Sequence, residues 1–358
     1  MNKTTHKLKF AVFGNIHQAR KSAAISKILS CLRERDAEVC IEREFFEFLK
    51  RNENAPGRPS LMERYAADVI DVRRQKGAHG DGQGPCLDAD FVISMGGDGT
   101  LLKAAMHVGD RQIPVIGINM GRLGFLASIT PDDIEKAFDA IFRGEYFVED
   151  HSVIEVKADG GTLETYPCAL NDIAVLKRDN ASMISIRVAI DGEYLVTYRA
   201  DGLIISTPTG STAYSLSNGG PIIVPDTGVL CLTPVAPHSL NIRPIVIPDT
   251  SRITLSVESR SHNYLVAVDG RSEKCAETVG LEISKAAYCV KTVKCSDTKY
   301  IGTLRDKMMW GADNRGMKNE ECFAGRVRCR RSSSQTISVF IRVYPWLNIS
   351  PWLRHLRG

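Results

Sequence analysis

Over the first third of the chain, short apolar runs alternate with apolar positions at helical spacing. Leu8–Phe13 reads as a buried strand that stops at Gly14. Ala24, Ile25, Ile28, Leu29 and Leu32 then recur along one helix face. Glu38–Ile41 predicts a second strand, residues 61–76 a helix, and Phe91–Ile93 a third strand running into a helix over Thr100–Val108. Ile113–Ile118 is the next strand. Thr130-Pro131-Asp132-Asp133 predicts a helix start: the threonine is the N-cap, proline takes the first helical position, and two acids complement the dipole. Arg51–Ser60 and Gly77–Pro85 read as polar, glycine- and proline-bearing connections. Strand–helix alternation of this kind predicts an α/β fold whose N-terminal domain is a doubly wound, Rossmann-like, largely parallel sheet.

After Gly144 the texture changes. Val153–Val156, Ile184–Ile190, Tyr194–Tyr198, Leu203–Ser206, Ile253–Val257, Tyr264–Val268, Leu281–Ser284 and Tyr288–Val293 are strand candidates, and Asp191-Gly192 is a hairpin turn between two of them. One helix-like stretch, near Ser211–Ser217, interrupts the run. Ile301–Trp310 is helical again and is expected to return to the first domain. The map is therefore an α/β domain over 1–145, a β-rich domain over 146–298, a returning helix over 299–315, and a tail over 316–358.

Composition narrows the setting. A chain of 358 residues, 43% hydrophobic and 25% charged, has the make-up of a globular protein large enough for two cores. No apolar run reaches the roughly 20 residues that span a bilayer, and the first ten residues lack the apolar core of a secretory signal. Ten cysteines are scattered without a C-x-x-C pair, which reads as thiols in a reducing cytoplasm. The net charge of +4 hides a break: residues 322–358 hold seven arginines, no lysine and no acid, so the body is mildly acidic. That bias reads as a disordered extension rather than a tuned patch, and neither a nucleic-acid nor a membrane partner is expected.

Chemistry concentrates in two stretches. In SMGGDGTLL (Ser94–Leu102), Gly96, Gly97 and Gly99 carry no side chains, so backbone amides there and at Thr100 can approach phosphate oxygens at a helix N-terminus. Asp98 would repel those phosphates. It therefore reads as facing the acceptor, placed to take the proton of an attacking hydroxyl. A tight turn alone would also account for Gly-Gly-Asp-Gly. The stretch has neither a Walker lysine nor dinucleotide G-x-G-x-x-G spacing. In DGLIISTPTGSTAYSLSNGGP (residues 201–221), Thr209, Ser211, Thr212, Tyr214, Ser215 and Ser217 supply donors and acceptors, and Tyr214 a ring on which a base can stack. A loop so furnished suits a nucleoside better than a metal, although it also caps a helix. His107 and His151 read as structural, Arg122 as core or phosphate contact, and His238 and Arg243 as loop residues near the cleft.

Together with NMGRLGFL (Asn119–Leu126), Ala169-Leu170-Asn171-Asp172 and Val268-Asp269-Gly270, these motifs resemble the ATP-dependent NAD kinases from about residue 8 to about residue 315. The resemblance implies transfer of the ATP γ-phosphate to the 2′-hydroxyl of the adenosine ribose of NAD, giving NADP. It implies Asp98 as proton acceptor with Gly99 beside the same ligand, and Asn171 and Asp172 as the pair that holds the dinucleotide. Ser182, Arg199, Asp201, Ala236 and Arg271 fall on further NAD-binding positions. The run Thr212, Ala213, Tyr214, Ser215, Leu216 and Ser217 matches the adenosine-binding segment. A divalent ion, Mg²⁺, is implied with ATP, and a homodimer or homotetramer as the assembly. Another kinase with a GGDG loop, acting on a lipid or sugar, and a non-catalytic dinucleotide sensor are the alternatives.

Overall fold

The computed structural model describes residues 7–16, 22–52, 68–70, 87–121, 124–161, 163–178, 182–295 and 300–310. The N-terminal half is built on strands β1 (Lys9–Gly14), β2 (Glu38–Glu42), β3 (Asp68–Ile70), β4 (Phe91–Gly96) and β5 (Val115–Asn119). They lie in the order β3-β2-β1-β4-β5, every neighbouring pair parallel. Alternate residues of each strand face opposite sides, and both sides are covered. Phe10, Val12, Phe91, Ile93 and Ile116 pack with α1 (Ser22–Glu34), α2 (Arg43–Asn52) and α4 (Ile134–Arg143). Ala11, Phe13, Val92 and Val115 pack with α3 (Asp98–Val108) through Leu101, Ala104, Ala105 and Val108. That is the doubly wound arrangement the alternation predicts. The chain runs outward in both directions from the β1–β4 pair. The crevice beyond the carboxyl ends of these two strands is thus the switch point where open α/β sheets collect ligands.

Two local readings change. Helix α2 was not anticipated; Phe45 and Leu49, one helical turn apart, bury its inner face. Of the helix expected over 61–76, Asp68–Ile70 is instead strand β3, pairing Val69 with Ile41 and Ile70 with Glu42. Two β-branched residues beside the open edge of β2 gain a ladder that local spacing does not register; the rest of 61–76 lies outside the described residues. Thr130 does precede a helix start, which opens as a 3₁₀ turn (Pro131–Asp133) before α4, and its hydroxyl donates to Asp133 at 2.6 Å.

The second half is a β-sandwich. One layer is β13 (Ile245–Pro248), β12 (Val229–Val235), β11 (Gly202–Ser206), β8 (Asp172–Leu176), β15 (Asn263–Val268) and β16 (Arg271–Ala276), in that order. The other continues the first sheet through β17 (Leu281–Lys294), β14 (Ile253–Glu258), β9 (Ile184–Ile190) and β10 (Glu193–Ala200). Alongside β17 lies β6 (Phe147–Ala158), which also pairs with the two-residue β7 (Cys168–Ala169). Ile186, Val188, Ile253, Leu255 and Ile283 meet Ile173, Val175, Leu203, Ile205 and Val266 across the core. The hairpin at Asp191-Gly192 has φ of 51° and 86°, as a type I′ turn needs.

Leu281–Ser284 and Tyr288–Val293 are not two strands but parts of β17, which shifts register against β6 between Lys285 and Cys289. Such an irregularity interrupts the two-residue alternation and so imitates a strand end in sequence. The merged strand reaches both halves: Leu281–Ile283 pair with β14 and β6, and Thr292 pairs with Val115 of β5. Beyond β17, α6 (Tyr300–Met308) buries Thr303 and Leu304, and its Tyr300 ring lies 6.2 Å from Phe125, so the chain does return to the first domain. The arginine-rich tail lies outside the described residues.

Ile283 is fully buried where β17 crosses the sandwich. Ile283→Ala should cost about 2–5 kcal/mol, read in urea as a lower midpoint with one transition retained.

Candidate functional site

Asp98 opens α3, directly after Gly97 as N-cap. Its carboxylate does not stand in open space. Oδ2 accepts the Phe125 N–H at 2.9 Å, and Oδ1 accepts those of Leu126 and Ala127, each at 3.1 Å. Lys307 of α6 brings Nζ to 3.5 Å from Oδ2. Four donors match the roughly four lone-pair positions of a carboxylate. GGDGT and NMGRLGFL are thus two sides of one contact, and glycine is required at its centre. A Cβ on Gly124 would sit 2.1 Å from Oδ1. Gly97 and Gly99 face open space, with nothing within 4 Å of the position a Cβ would take. A ligand can approach the start of α3 there. Thr100 is buried against Gly96, so it braces the turn from below.

A second carboxylate organises the Asn171 segment. Asp269, at φ 46° in the Asp-Gly turn between β15 and β16, accepts the N–H groups of Leu170 (2.9 Å), Asn171 (2.8 Å) and Asp172 (3.2 Å). Thr207 N–H donates to the Asn171 carbonyl at 2.9 Å, and a Cβ on Gly210 would collide with that carbonyl at 1.9 Å. The hydroxyl loop therefore lies directly on Asn171-Asp172. Burial, and then the charge of Asp269, push the Asp172 carboxyl up to about 7. Burial also raises Asp269, against the pull of its three N–H donors. Tyr214 is exposed at its ring, and its phenol is raised by burial first and then by the charges of Asp172 and Asp201. Asp201 is itself paired with Lys177 at 2.7 Å.

The hydroxyl loop folds as a 3₁₀ turn (Thr209–Thr212) and a one-turn helix, α5 (Tyr214–Ser217). Most of its hydroxyls are spent locally. Ser211 Oγ donates to the Pro208 carbonyl at 2.6 Å, Ser217 Oγ to that of Tyr214 at 2.7 Å, and Ser215 Oγ lies 2.8 Å from Thr233 Oγ1. Thr209 and Thr212 line a cavity of about 700 Å³ together with Phe125, Leu126 and Ser128 and with Tyr300 and Thr303 of α6. This volume is in the range that takes a small-molecule ligand. The loop that holds Asp98 and the hydroxyl loop thus share one cavity. His151 lines it too, with Nδ1 3.1 Å from Thr209 Oγ1 and Nε2 2.9 Å from Thr292 Oγ1. Burial pulls its pKa down to about 3, so the ring is neutral and structural.

The remaining candidates are dispersed. Arg271 is directed at the back of α3: it contacts Met106, donates to the Val268 carbonyl at 3.0 Å, and lies over the Tyr166 ring at 5.8 Å. Arg199 is exposed on β10, its carbonyl accepting the His238 N–H at 2.9 Å. Ala236 is exposed at φ 44°, and Ser182 is half-buried before β9. None of these three makes the contacts that define either carboxylate cluster. His107 stacks on Phe13 at 5.4 Å, and Arg243 donates to the carbonyls of Leu240 and Ile242. Arg122 lies outside the described residues. Sequence reasoning missed Lys307, Gly124, Thr207 and the anchoring role of Asp269. Asp269 carried a local signal in the Asp-Gly turn dipeptide, and Gly124 and Thr207 lay inside quoted motifs, but nothing local marked Lys307.

Comparison with known proteins gives a consistent result. Residues 27–146 match the model of the ATP-NAD kinase N-terminal domain, and residues 170–295 that of the ATP-NAD kinase C-terminal domain. The chain is 52% identical to an NAD kinase of Bacteroides fragilis over 308 residues, 86% of this chain and 100% of the relative. It is 39% identical to one of Porphyromonas gingivalis over 304 residues, covering 85% and 98%. In fold it is similar to yeast NADH kinase complexed with NADH (TM-score 0.72, 23% identity, 88% of this chain and 91% of that one). It is also similar to an NAD kinase from Archaeoglobus fulgidus in complex with ATP (TM-score 0.61, 24% identity, 83% and 99%).

Two outcomes are expected from this geometry. Gly124→Ala displaces the Asp98 carboxylate from its amides and should cost about 1.5–3 kcal/mol in urea unfolding, the scale of a hydrogen bond to a charged group. Asp172 has a folded pKa of about 7 against an ordinary 3.8, so the folded chain holds that proton more tightly. Its stabilising contribution is complete below about pH 4 and lost as the pH rises to about 7. The melting temperature of Asp172→Asn, which has no such proton, should therefore gain on that of the native chain across this interval.

Proposed function

The chain belongs to the ATP-NAD kinase family, and from that premise we propose that it transfers the γ-phosphoryl group of ATP to the 2′-hydroxyl of the adenosine ribose of NAD, giving NADP. One observation carries the reading: an acidic side chain at the N-terminus of α3 is bound by the amides of Phe125, Leu126 and Ala127, and Phe125 and Leu126 in turn line a ligand-sized cavity together with Thr209 and Thr212 of the hydroxyl loop. In the transfer, the hydroxyl oxygen bonds to the γ-phosphorus as the bond from that phosphorus to the bridging β-phosphate oxygen breaks, and the bridging oxygen keeps the bonding pair and leaves as part of ADP. The hydroxyl proton goes to Asp98. The open space beside Gly97 and Gly99 lets phosphate oxygens approach the start of α3, whose N-terminus favours their charge. A proton acceptor so placed is worth about 10²–10⁴-fold in rate.

The residues present fit a Mg²⁺ ion that arrives on ATP. Among the described residues no group of three His, Cys, Asp or Glu gathers as a metal site, and Mg²⁺ characteristically takes one or two carboxylates and completes its shell with phosphate oxygens and water. Bound in that way it would neutralise phosphate charge, with Asp98 the nearest carboxylate to the start of α3. Adenine stacking on Tyr214 is supported by that ring's exposure and by the charges of Asp172 and Asp201 that act on it. A homo-oligomer is supported by the edge strand β10, which leaves Tyr194 and Leu195 exposed at the end of the large sheet. A cytoplasmic setting accords with the described cysteines, which are free thiols.

Incubation with Mg-ATP and NAD, followed by assay for NADP, tests the activity. Diacylglycerol or sphingoid-base phosphorylation without NADP would overturn it, as would tight NAD binding without turnover. Asp98→Asn should lower kcat at least about 10²-fold while Kd for NAD stays within a few-fold.

A further inference from the structure

Asp98 has no vacant position in the structure. Its two oxygens receive three main-chain N–H groups and one ammonium. To accept a proton from an incoming hydroxyl, it must release one donor. The three amides belong to consecutive residues of a loop tied into the sheet. Just beyond them Ile129 exchanges hydrogen bonds with β5: Asn119 N–H to the Ile129 carbonyl at 2.8 Å, and Ile129 N–H to that of Gly117 at 3.1 Å. They cannot withdraw without taking the loop apart. Lys307 can. It is a flexible side chain, and at 3.5 Å its contact is the longest of the four.

Lys307 is nonetheless held in place. Its side chain is only 17% exposed, and its ammonium lies 4.0 Å from the centre of the Phe125 ring. Phe125 therefore touches Oδ2 by its N–H and carries on its ring the other donor to the same oxygen. Burial lowers the lysine's pKa, and Asp98 opposes that shift. Tyr300, two helical turns earlier on α6, packs on the same ring and sets the helix against the loop.

We propose that Lys307 is a positioning residue for Asp98: it occupies the place on Oδ2 that the acceptor hydroxyl takes in the reacting complex, and until then it holds the carboxylate fixed in orientation. The proposal rests on the reading of Asp98 as proton acceptor. When the hydroxyl arrives, the ammonium yields its place and stays on the Phe125 ring.

The test is a double-mutant cycle in the full-length chain with Mg-ATP and NAD. Lys307→Met keeps the length and the contact with Phe125 but removes the donor. It should lower kcat at least about tenfold, leave KM for NAD within about threefold, and melt within a few degrees of the native protein. Lys307→Arg retains a cation on the ring and should recover most of the rate. In the Asp98→Asn background, Lys307→Met should bring no further loss, because the lysine acts through that carboxylate. Unchanged kcat in Lys307→Met, or losses that multiply in the double variant, would overturn the proposal. So would a Lys307→Met and a Lys307→Gln protein that both melt far lower and bind NAD poorly, since that assigns a structural role. Near-native turnover in Asp98→Asn is a separate result, and it sinks the proton-acceptor reading itself.

Discussion

A carboxylate largely shielded from water has to find hydrogen-bond donors in the protein, and Asp98 finds its donors in the backbone of residues 125–127. Much else in the first domain follows from that contact. It needs a residue without a side chain at Gly124. It needs the loop after β5 to turn its amides toward the start of α3, which the parallel β4–β5 pair makes possible by ending both strands on the same side of the sheet. It also draws in the last described helix, because the fourth donor and the ring packed on Phe125 come from α6.

The second half uses the same device. Asp269 gathers three consecutive amides, those of residues 170–172, as Asp98 gathers those of 125–127. In both places an acid at a turn sets the path of a segment distant in sequence, and in both a glycine lies close by because nothing larger fits: Gly124 against Asp98, Gly210 against Asn171. Parts of the segments so placed line one cavity. The loop after β5 contributes to its lining, as does the hydroxyl loop, seated on Asn171. Networks of this kind are stable only when every member is satisfied, which accounts for how many of the loop's hydroxyls bond to nearby carbonyls rather than outward.

The strands and helices with strong periodicity were legible from residue pattern alone. Phe91–Ile93, the α1 repeat and the Asp191-Gly192 hairpin need only neighbours a few positions away to declare themselves. Strand β3 did not, because its ladder to β2 depends on a partner 28 residues earlier, as Val69 against Ile41 shows. Nor did the unity of β17, since its register shift falls where the alternation breaks. Of the site, Asp98 and the Asn171-Asp172 pair stood out through their motifs. What Asp98 touches did not.

Local chemistry thus determined the class of fold, the glycine-rich turn at the head of α3, the hydroxyl loop, and the resemblance that follows from them. These features depend on residue type at short spacing, and short spacing is what a sequence displays. The tertiary structure alone decided that Asp98 lies under three amides, that Lys307, 209 positions later, shares its oxygen, and that one strand serves both halves. Such contacts form only when distant segments are packed together, and a lysine on a short helix looks the same in sequence whether it faces water or a buried acid.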